Sequence, residues 1–329
     1  MPELPEVEAA MEVLRSRAKG RTITRVRLLH PAMERRLSPA QLHALIGARI
    51  TRVERRGKHQ LLHLDDGRIL HAHFRMNGDW ELIAHGEELP RFARAVLDFD
   101  DGSSLVFVDS RALGTIDLHP AGVELDLGLG PDAADPDWTA EQLGAALAQR
   151  RGPVKPALLD QTLVAGLGNI YAAESLWRAR ISPRASCAAL STPQVASLRE
   201  AIAAVIVRAT GSRYTDDDTV ELDVYDREGQ PCRRCRTPIE RVMQAGRSTY
   251  FCPQCQADVA DREVGTADSK AKTKAKTKAK TKAKAKTKAK AKTKAKTKAK
   301  TKTKVTLTAK AKKANAKSKA KTPAKAKTR

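Results

Sequence analysis

Eight short runs of strand-like composition crowd residues 22–118, and they leave this part of the chain little choice of fold. They lie at 22–29, 48–55, 59–64, 69–74, 80–84, 94–99, 104–108 and 114–118. Asp65-Asp66-Gly67, Asn77-Gly78 and Asp101-Gly102 punctuate them as turns. Many short strands at near-regular spacing predict a β-sandwich or barrel. Ahead of them, Pro5 suits a first helical turn, and Val7, Met11, Leu14 and Ala18 recur at helical spacing until Gly20. A helix packed against a β-sandwich is therefore expected, forming a first domain over 1–125.

The pattern changes after 125. Residues 126–138 are rich in Gly, Pro and Asp and read as a linker. Thr139 and Gln142 form a capping box, with Leu143 and Leu147 on one helical face behind it. Further helices are expected over 154–165, from near Asn169 to before Pro183, and from Ser191-Thr192-Pro193 onward. The last should bury Val195, Leu198, Ile202 and Val205. Residues 211–225 read as a polar loop and a short strand. The fold class is thus α+β, with a helical domain over 139–225 and a cysteine-bearing segment over 226–256.

That segment carries Cys232-x-x-Cys235 and Cys252-x-x-Cys255, with 16 residues between the pairs. This is the spacing of a four-cysteine zinc site. Four thiolates leave no open position, so one structural Zn²⁺ is expected. Thr249-Tyr250-Phe251 between the pairs is strand-like, which predicts a β-hairpin finger with Arg247 near its tip.

The first eight residues, Met1-Pro2-Glu3-Leu4-Pro5-Glu6-Val7-Glu8, hold a different chemistry. With Met1 removed, Pro2 becomes a free secondary amine. A terminal amine titrates at about 7.7–8.0, so part of it is neutral and nucleophilic at pH 7. Glu3 beside it is a candidate proton carrier. Equally, Pro and Glu are ordinary openers of a helix. Gly166-Leu167-Gly168-Asn169 is a glycine turn before a helix, with Asn169 as its cap, where backbone amides attract an anion, typically phosphate. Lys58, in Gly57-Lys58-His59, matters only if the sheet returns it toward Pro2.

Together the Pro2–Glu8 opening, the run from Gly166 to Glu174 and the Cys232–Cys255 finger resemble the formamidopyrimidine-DNA glycosylases over about residues 1–256. The resemblance implies a bifunctional base-excision repair glycosylase and AP lyase for oxidised purines, formamidopyrimidines and 8-oxoguanine among them. No catalytic cofactor is implied. It further implies a helix-two-turn-helix DNA-binding domain, with damaged double-stranded DNA as partner. Pro2 would attack C1′ of the damaged nucleotide, and Glu3 would move protons. Lys58 would bind phosphate or assist β-elimination, and Arg247 would contact phosphates and serve δ-elimination. Asn169 and Arg150 would hold the DNA backbone. Met76, Arg111 and Leu113 would fill the gap left by the extruded nucleotide. Leu4 argues against the sister group, the endonuclease VIII enzymes, which more typically have glycine there.

Three departures bear on substrate range. Leucine stands at 113 where an aromatic is usual, and Phe92 stands where a histidine commonly touches phosphate. The stretch at about 209–226 looks shorter than usual. Two alternatives therefore stay open: a same-fold enzyme for oxidised pyrimidines or abasic sites, and a non-catalytic DNA-compacting protein.

From Lys270 on the chain is nearly all Lys, Ala and Thr. The net charge is +23, and residues 270–329 hold 27 Lys and Arg and no acid, so residues 1–269 carry 23 − 27 = −4. A tail with like charges at alternate positions and no apolar face is expected to be disordered over 266–329 and to bind DNA or other polyanions. No apolar stretch of about 20 residues occurs, so no membrane span is expected. The acidic N-terminus is unlike a signal peptide. A monomer in the bacterial cytoplasm or nucleoid is the expectation.

Overall fold

The structure, a computed structural model, describes residues 1–210 and 220–257. The expected disordered tail at 266–329 and half of the stretch at 209–226, residues 211–219, lie outside the described residues.

Helix α1 (Leu4–Val13) opens where the Glu3 amide donates to Glu6 Oε2 at 2.8 Å, and it runs on as a π-turn over Leu14–Ala18. Strands β1 (Ile23–Leu28), β2 (Ile50–Arg56), β3 (His59–Leu64), β4 (Ile69–His73), β5 (Gly78–Ile83), β6 (Ala93–Phe99), β7 (Ser104–Asp109) and β8 (Thr115–His119) follow. They form two antiparallel four-stranded sheets, ordered β1-β6-β7-β5 and β2-β3-β4-β8. Alternate residues such as Leu62, Leu70, Trp80, Leu97 and Phe107 turn inward, and α1 adds Val7, Met11 and Leu14 to the same core. Two short helices absent from the sequence expectation, α2 (Pro31–Glu34) and α3 (Pro39–Leu45), join β1 to β2. Each starts at a proline behind a capped residue, a signal confined to a few positions.

The helical region comprises α4 (Ala140–Ala148), α5 (Val154–Leu158), α6 (Asn169–Arg178) and α7 (Thr192–Ala209). Thr139 with Gln142 and Ser191 with Gln194 make capping boxes. On α7, Val195, Leu198, Ile202, Val205 and Ile206 recur on one buried stripe. The expected 154–165 helix is cut to five residues. Leu163 and Val164 are buried in a turn and Ala165 in a β-bridge to Asp132 instead, and the Asp160 side chain accepts from Thr162 N at 2.9 Å, which favours a turn over helix. The short strand expected within 211–225 is absent from the described part, 220–225, where Glu174 takes up the amides of 223, 224 and 225.

The finger hairpin pairs β9 (Glu240–Gln244) with β10 (Arg247–Phe251). Trp177 of α6, Val224, Ile239 and Tyr250 form a small core beneath the cysteines. One relation sets up the site. Leu4 is buried in the helical core, whereas Val7 and Met11, farther along the same helix, belong to the sandwich core. Helix α1 therefore spans the seam between the two.

Candidate active site

Pro2 is buried at that seam. The next residue, Glu3, is 1% exposed, and its carboxylate occupies the N-terminus of α6. Glu3 Oε2 accepts from Gly168 N at 2.8 Å and Tyr171 N at 3.2 Å, and Oε1 accepts from Ile170 N at 2.9 Å. An anion was expected at this helix start, but as a phosphate; the structure puts the chain's own carboxylate there. Leu4 N donates to Gly166 O at 3.1 Å. Both glycines are required. A Cβ on residue 168 would lie 2.3 Å from Glu3 Cδ, and one on residue 166 would lie 2.5 Å from Leu4 Cδ1, with φ at +98°.

Asn169 is not the cap; Gly168 is, and Asn169 is the first helical residue. Its side chain points instead to the finger, donating to Ser248 O at 3.0 Å. A residue that sequence reasoning misses completes this contact. Lys155 is 1% exposed and donates to Asn169 Oδ1 at 2.5 Å, Thr249 Oγ1 at 2.8 Å and Ser248 O at 3.2 Å. Burial, aided by the charge of Arg247, pulls its ammonium down to about 8. No local motif marks Lys155; only its partners, 14 and 94 positions away, reveal it.

Lys58 sits in the tight turn from β2 to β3, where Gly57 has φ +57°. The turn is anchored by Arg55, which pairs with Glu8 at 2.5 Å and Asp132 at 2.6 Å, and by Gly57 N donating to Asp132 Oδ2 at 2.9 Å. Lys58 Nζ then reaches Leu167 O at 2.8 Å, which Gln161 also holds through its Nε2 at 2.8 Å. Met1, Lys58, His73, Met76, Leu113 and Arg247 all line one cleft of about 460 Å³. Burial lowers the α-amine of Met1 and the ammonium of Lys58, and raises the carboxyl of Glu3 against the opposing pull of Lys58 and the α6 amides. Each shift favours the neutral form, the state in which an amine attacks and an acid gives up a proton.

The loop after β7 is held by Asp109, a fully buried carboxylate whose role sequence reasoning also misses. It accepts from Arg111 N at 2.9 Å and from Leu113 N and Gly114 N at 2.7 Å each. Arg111 is exposed, and Leu113 is 46% exposed beside the half-buried Met76 across the cleft mouth. Arg150 stands apart from this group, paired with Asp160 at 2.8 Å and donating to Thr162 Oγ1 at 2.9 Å.

The four finger sulfurs lie within 4.8 Å of one another, with Cys232–Cys255 at 3.9 Å and Cys235–Cys252 at 3.4 Å. Tetrahedral zinc with Zn–S of about 2.3 Å separates its sulfurs by about 3.8 Å, so Cys232, Cys235, Cys252 and Cys255 fit that ion.

Three family models match the chain. They are the formamidopyrimidine-DNA glycosylase N-terminal domain over 1–116, the H2TH domain of the same family over 129–217, and a zinc finger found in FPG and IleRS over 229–257. The chain is 41% identical to the formamidopyrimidine-DNA glycosylase of Paracoccus denitrificans, over 78% of this chain and 100% of that one. It is 40% identical to that of Chloroflexus aurantiacus, covering 80% and 100%. The fold is similar to MutM in complex with DNA containing carbocyclic 8-oxo-G, with a TM-score of 0.72 at 31% identity, covering 78% and 100%. It is also similar to the Lactococcus lactis enzyme non-covalently bound to DNA with an AP site, with a TM-score of 0.71 at 31% identity and the same coverage.

Proposed function

Because this chain belongs to the formamidopyrimidine-DNA glycosylase family, whose members are DNA glycosylases and AP lyases for oxidised purines, we propose that Pro2 is the nucleophile of that reaction here. Damaged DNA is the substrate, and one zinc is structural. The observation that carries the assignment is the seating of the Glu3 carboxylate against the α6 amides, with Met1, the residue before Pro2, lining a cleft shared with Lys58 and Arg247.

Once Met1 is gone, the amine lies at Pro2, which is buried here. It attacks C1′ of an extruded nucleotide as the base departs, taking the glycosidic electron pair. The amine's N–H proton passes to the departing base, Glu3 delivers a proton to the sugar ring oxygen, and the C1′–O4′ bond breaks to give an iminium. A secondary amine can form only a cationic iminium, which withdraws electrons from C2′ and acidifies its proton. The 3′ phosphate leaves by β-elimination and the 5′ phosphate by δ-elimination. Lys58 and Arg247 hold these phosphates and stabilise the departing charge. Asn169 orients the finger toward the same backbone through Ser248. Met76, Arg111 and Leu113 occupy the vacated stack. Arg150 serves the backbone only by exchanging Asp160 for phosphate.

The tail at 270–329 tethers a body of charge −4 to DNA or another polyanion. The protein acts as a monomer, in the cytoplasm or nucleoid of a bacterium. Among the described residues no helix is long and apolar enough to cross a membrane.

Borohydride trapping on duplex DNA with an abasic site tests the nucleophile. A covalent adduct is expected from protein whose N-terminal Pro2 is verified by mass, and it should vanish in Pro2→Gly. No adduct from the verified wild type would overturn the assignment. A panel of formamidopyrimidine, 8-oxoguanine and thymine glycol duplexes tests the preference for purines.

A further inference from the structure

Phe92 is the one exposed Phe, Tyr or Trp ring among the described residues, at 39% exposure, and its backbone is in a conformation bulky residues seldom adopt, with φ +70°. It is held there from three sides. Asp109 N donates to Phe92 O at 3.1 Å, and Ala93 N donates to Pro90 O at 3.2 Å. The pairing of β6 with β7 is bulged between Ala93 and Ala95, the kind of irregularity that re-aims a side chain. Arg94 Nε donates to Asp109 O at 2.6 Å while its guanidinium lies 5.6 Å from the Phe92 ring centre. Phe92 is thereby clamped to Asp109, the residue whose carboxylate shapes the loop carrying Arg111 and Leu113.

A ring 39% exposed on a strained backbone, outside the hydrophobic cores and packed against two arginines, is not explained by core packing. Its surroundings are those of a single-strand base platform, where an aromatic face lies beside cations that track the backbone. Arg91 lies over the ring at 4.6 Å and, among the described residues, has no ion pair or hydrogen bond, so it is free to swing to a phosphate. The cleft that Met1 and Lys58 share is lined by Leu113 and Met76 but not by Phe92. The ring therefore lies outside the pocket of the reacting nucleotide, on the other flank of the loop that fills the gap.

We propose that Phe92 is a specificity-determining residue: its ring stacks on the base left unpaired opposite the extruded nucleotide, with Arg91 moving to that strand's phosphate. The proposal rests on the glycosylase reading above for the existence of an unpaired base. It assigns to Phe92 the stacking surface that an aliphatic Leu113 does not supply.

The test uses the full chain and a duplex with a tetrahydrofuran site opposite 2-aminopurine. Tetrahydrofuran has no aldehyde, so binding is measured without Schiff-base chemistry, and failure of Pro2 as nucleophile would leave this experiment intact. Wild type and Phe92→Tyr should change the 2-aminopurine emission on binding. Phe92→Ala should lose that change and bind the gapped duplex about tenfold more weakly, the scale of one base–aromatic stack, with undamaged duplex unaffected. Phe92→Gly, which suits the positive φ, should melt no lower than wild type and lose the emission change as well. Unchanged emission and affinity in Phe92→Ala, or an equal loss on undamaged duplex, would overturn the proposal.

Discussion

The Gly168 amide donates to Glu3 Oε2 at 2.8 Å across 165 positions of chain. Residue 168 has φ −133°, open to any side chain, so the demand for glycine there is one of space alone. A Cβ would lie 2.4 Å from Glu3 Oε1. Gly168→Ala should cost about 1–3 kcal/mol of stability through overpacking. Displacing Glu3 and Pro2 by about 1 Å should slow trapping on the order of 100-fold. Urea unfolding and single-turnover trapping measure the two effects. Wild-type values in both would mean that the seam gives way freely.

Acid should weaken the sandwich through its histidines. His59 Nδ1 meets His71 Nε2 at 2.8 Å, and His71 Nδ1 meets His119 Nε2 at 3.3 Å. Burial and neighbouring positive charge hold His59 and His71 down to about 4 and His73 to about 3. Between these values and about 6.5 the unfolded chain binds more protons than the folded one, so stability rises with pH there. The contribution is complete above about 6.5 and is lost as pH falls toward 4. Urea midpoints measured from pH 7.5 to 4.5 should drop more steeply in wild type than in His59→Gln/His71→Gln. Parallel curves would contradict the assignment.

Zinc removal should disable the finger and leave the sandwich folded. Trp177 Nε1 donates to Cys232 Sγ at 3.5 Å, and the Arg234 guanidinium lies 3.7 Å from the Trp177 ring centre. Native mass spectrometry should find one zinc per chain. A chelator should shift tryptophan emission, abolish binding to abasic-site DNA and spare the sandwich core around Trp80. The emission shift should be absent in Trp177→Phe. DNA binding that survives complete metal loss would separate the finger from the interface.

Deleting residues 270–329 should weaken DNA binding and flatten its salt dependence, by about 0.9 in the log–log slope for each phosphate that the tail neutralises. Cleavage at saturating substrate should be unchanged. Equal affinity and slope with and without the tail would refute its role as a tether.

The sequence by itself determined the elements whose causes are local. All eight sandwich strands appear within about two residues of their alternating runs, and the Thr139 and Ser191 caps start α4 and α7. The cysteine spacing already implied four sulfurs around one ion. These features are read within a few residues, because strand alternation, capping and metal spacing are short-range demands. The tertiary structure alone decided what fills the start of α6. Glycine turn and helix pointed to a phosphate, but closure of the seam brings in Glu3 and turns Asn169 toward Ser248. Lys155 and Asp109 were invisible for the same reason: a buried lysine or aspartate is defined by the partners that satisfy it. Pro2-Glu3 could be read in the chain as a candidate nucleophile beside a candidate proton carrier. The seating of Glu3 against Gly168 and the reach of Lys58 to Leu167 depend on contacts more than 100 residues apart, which no local pattern encodes.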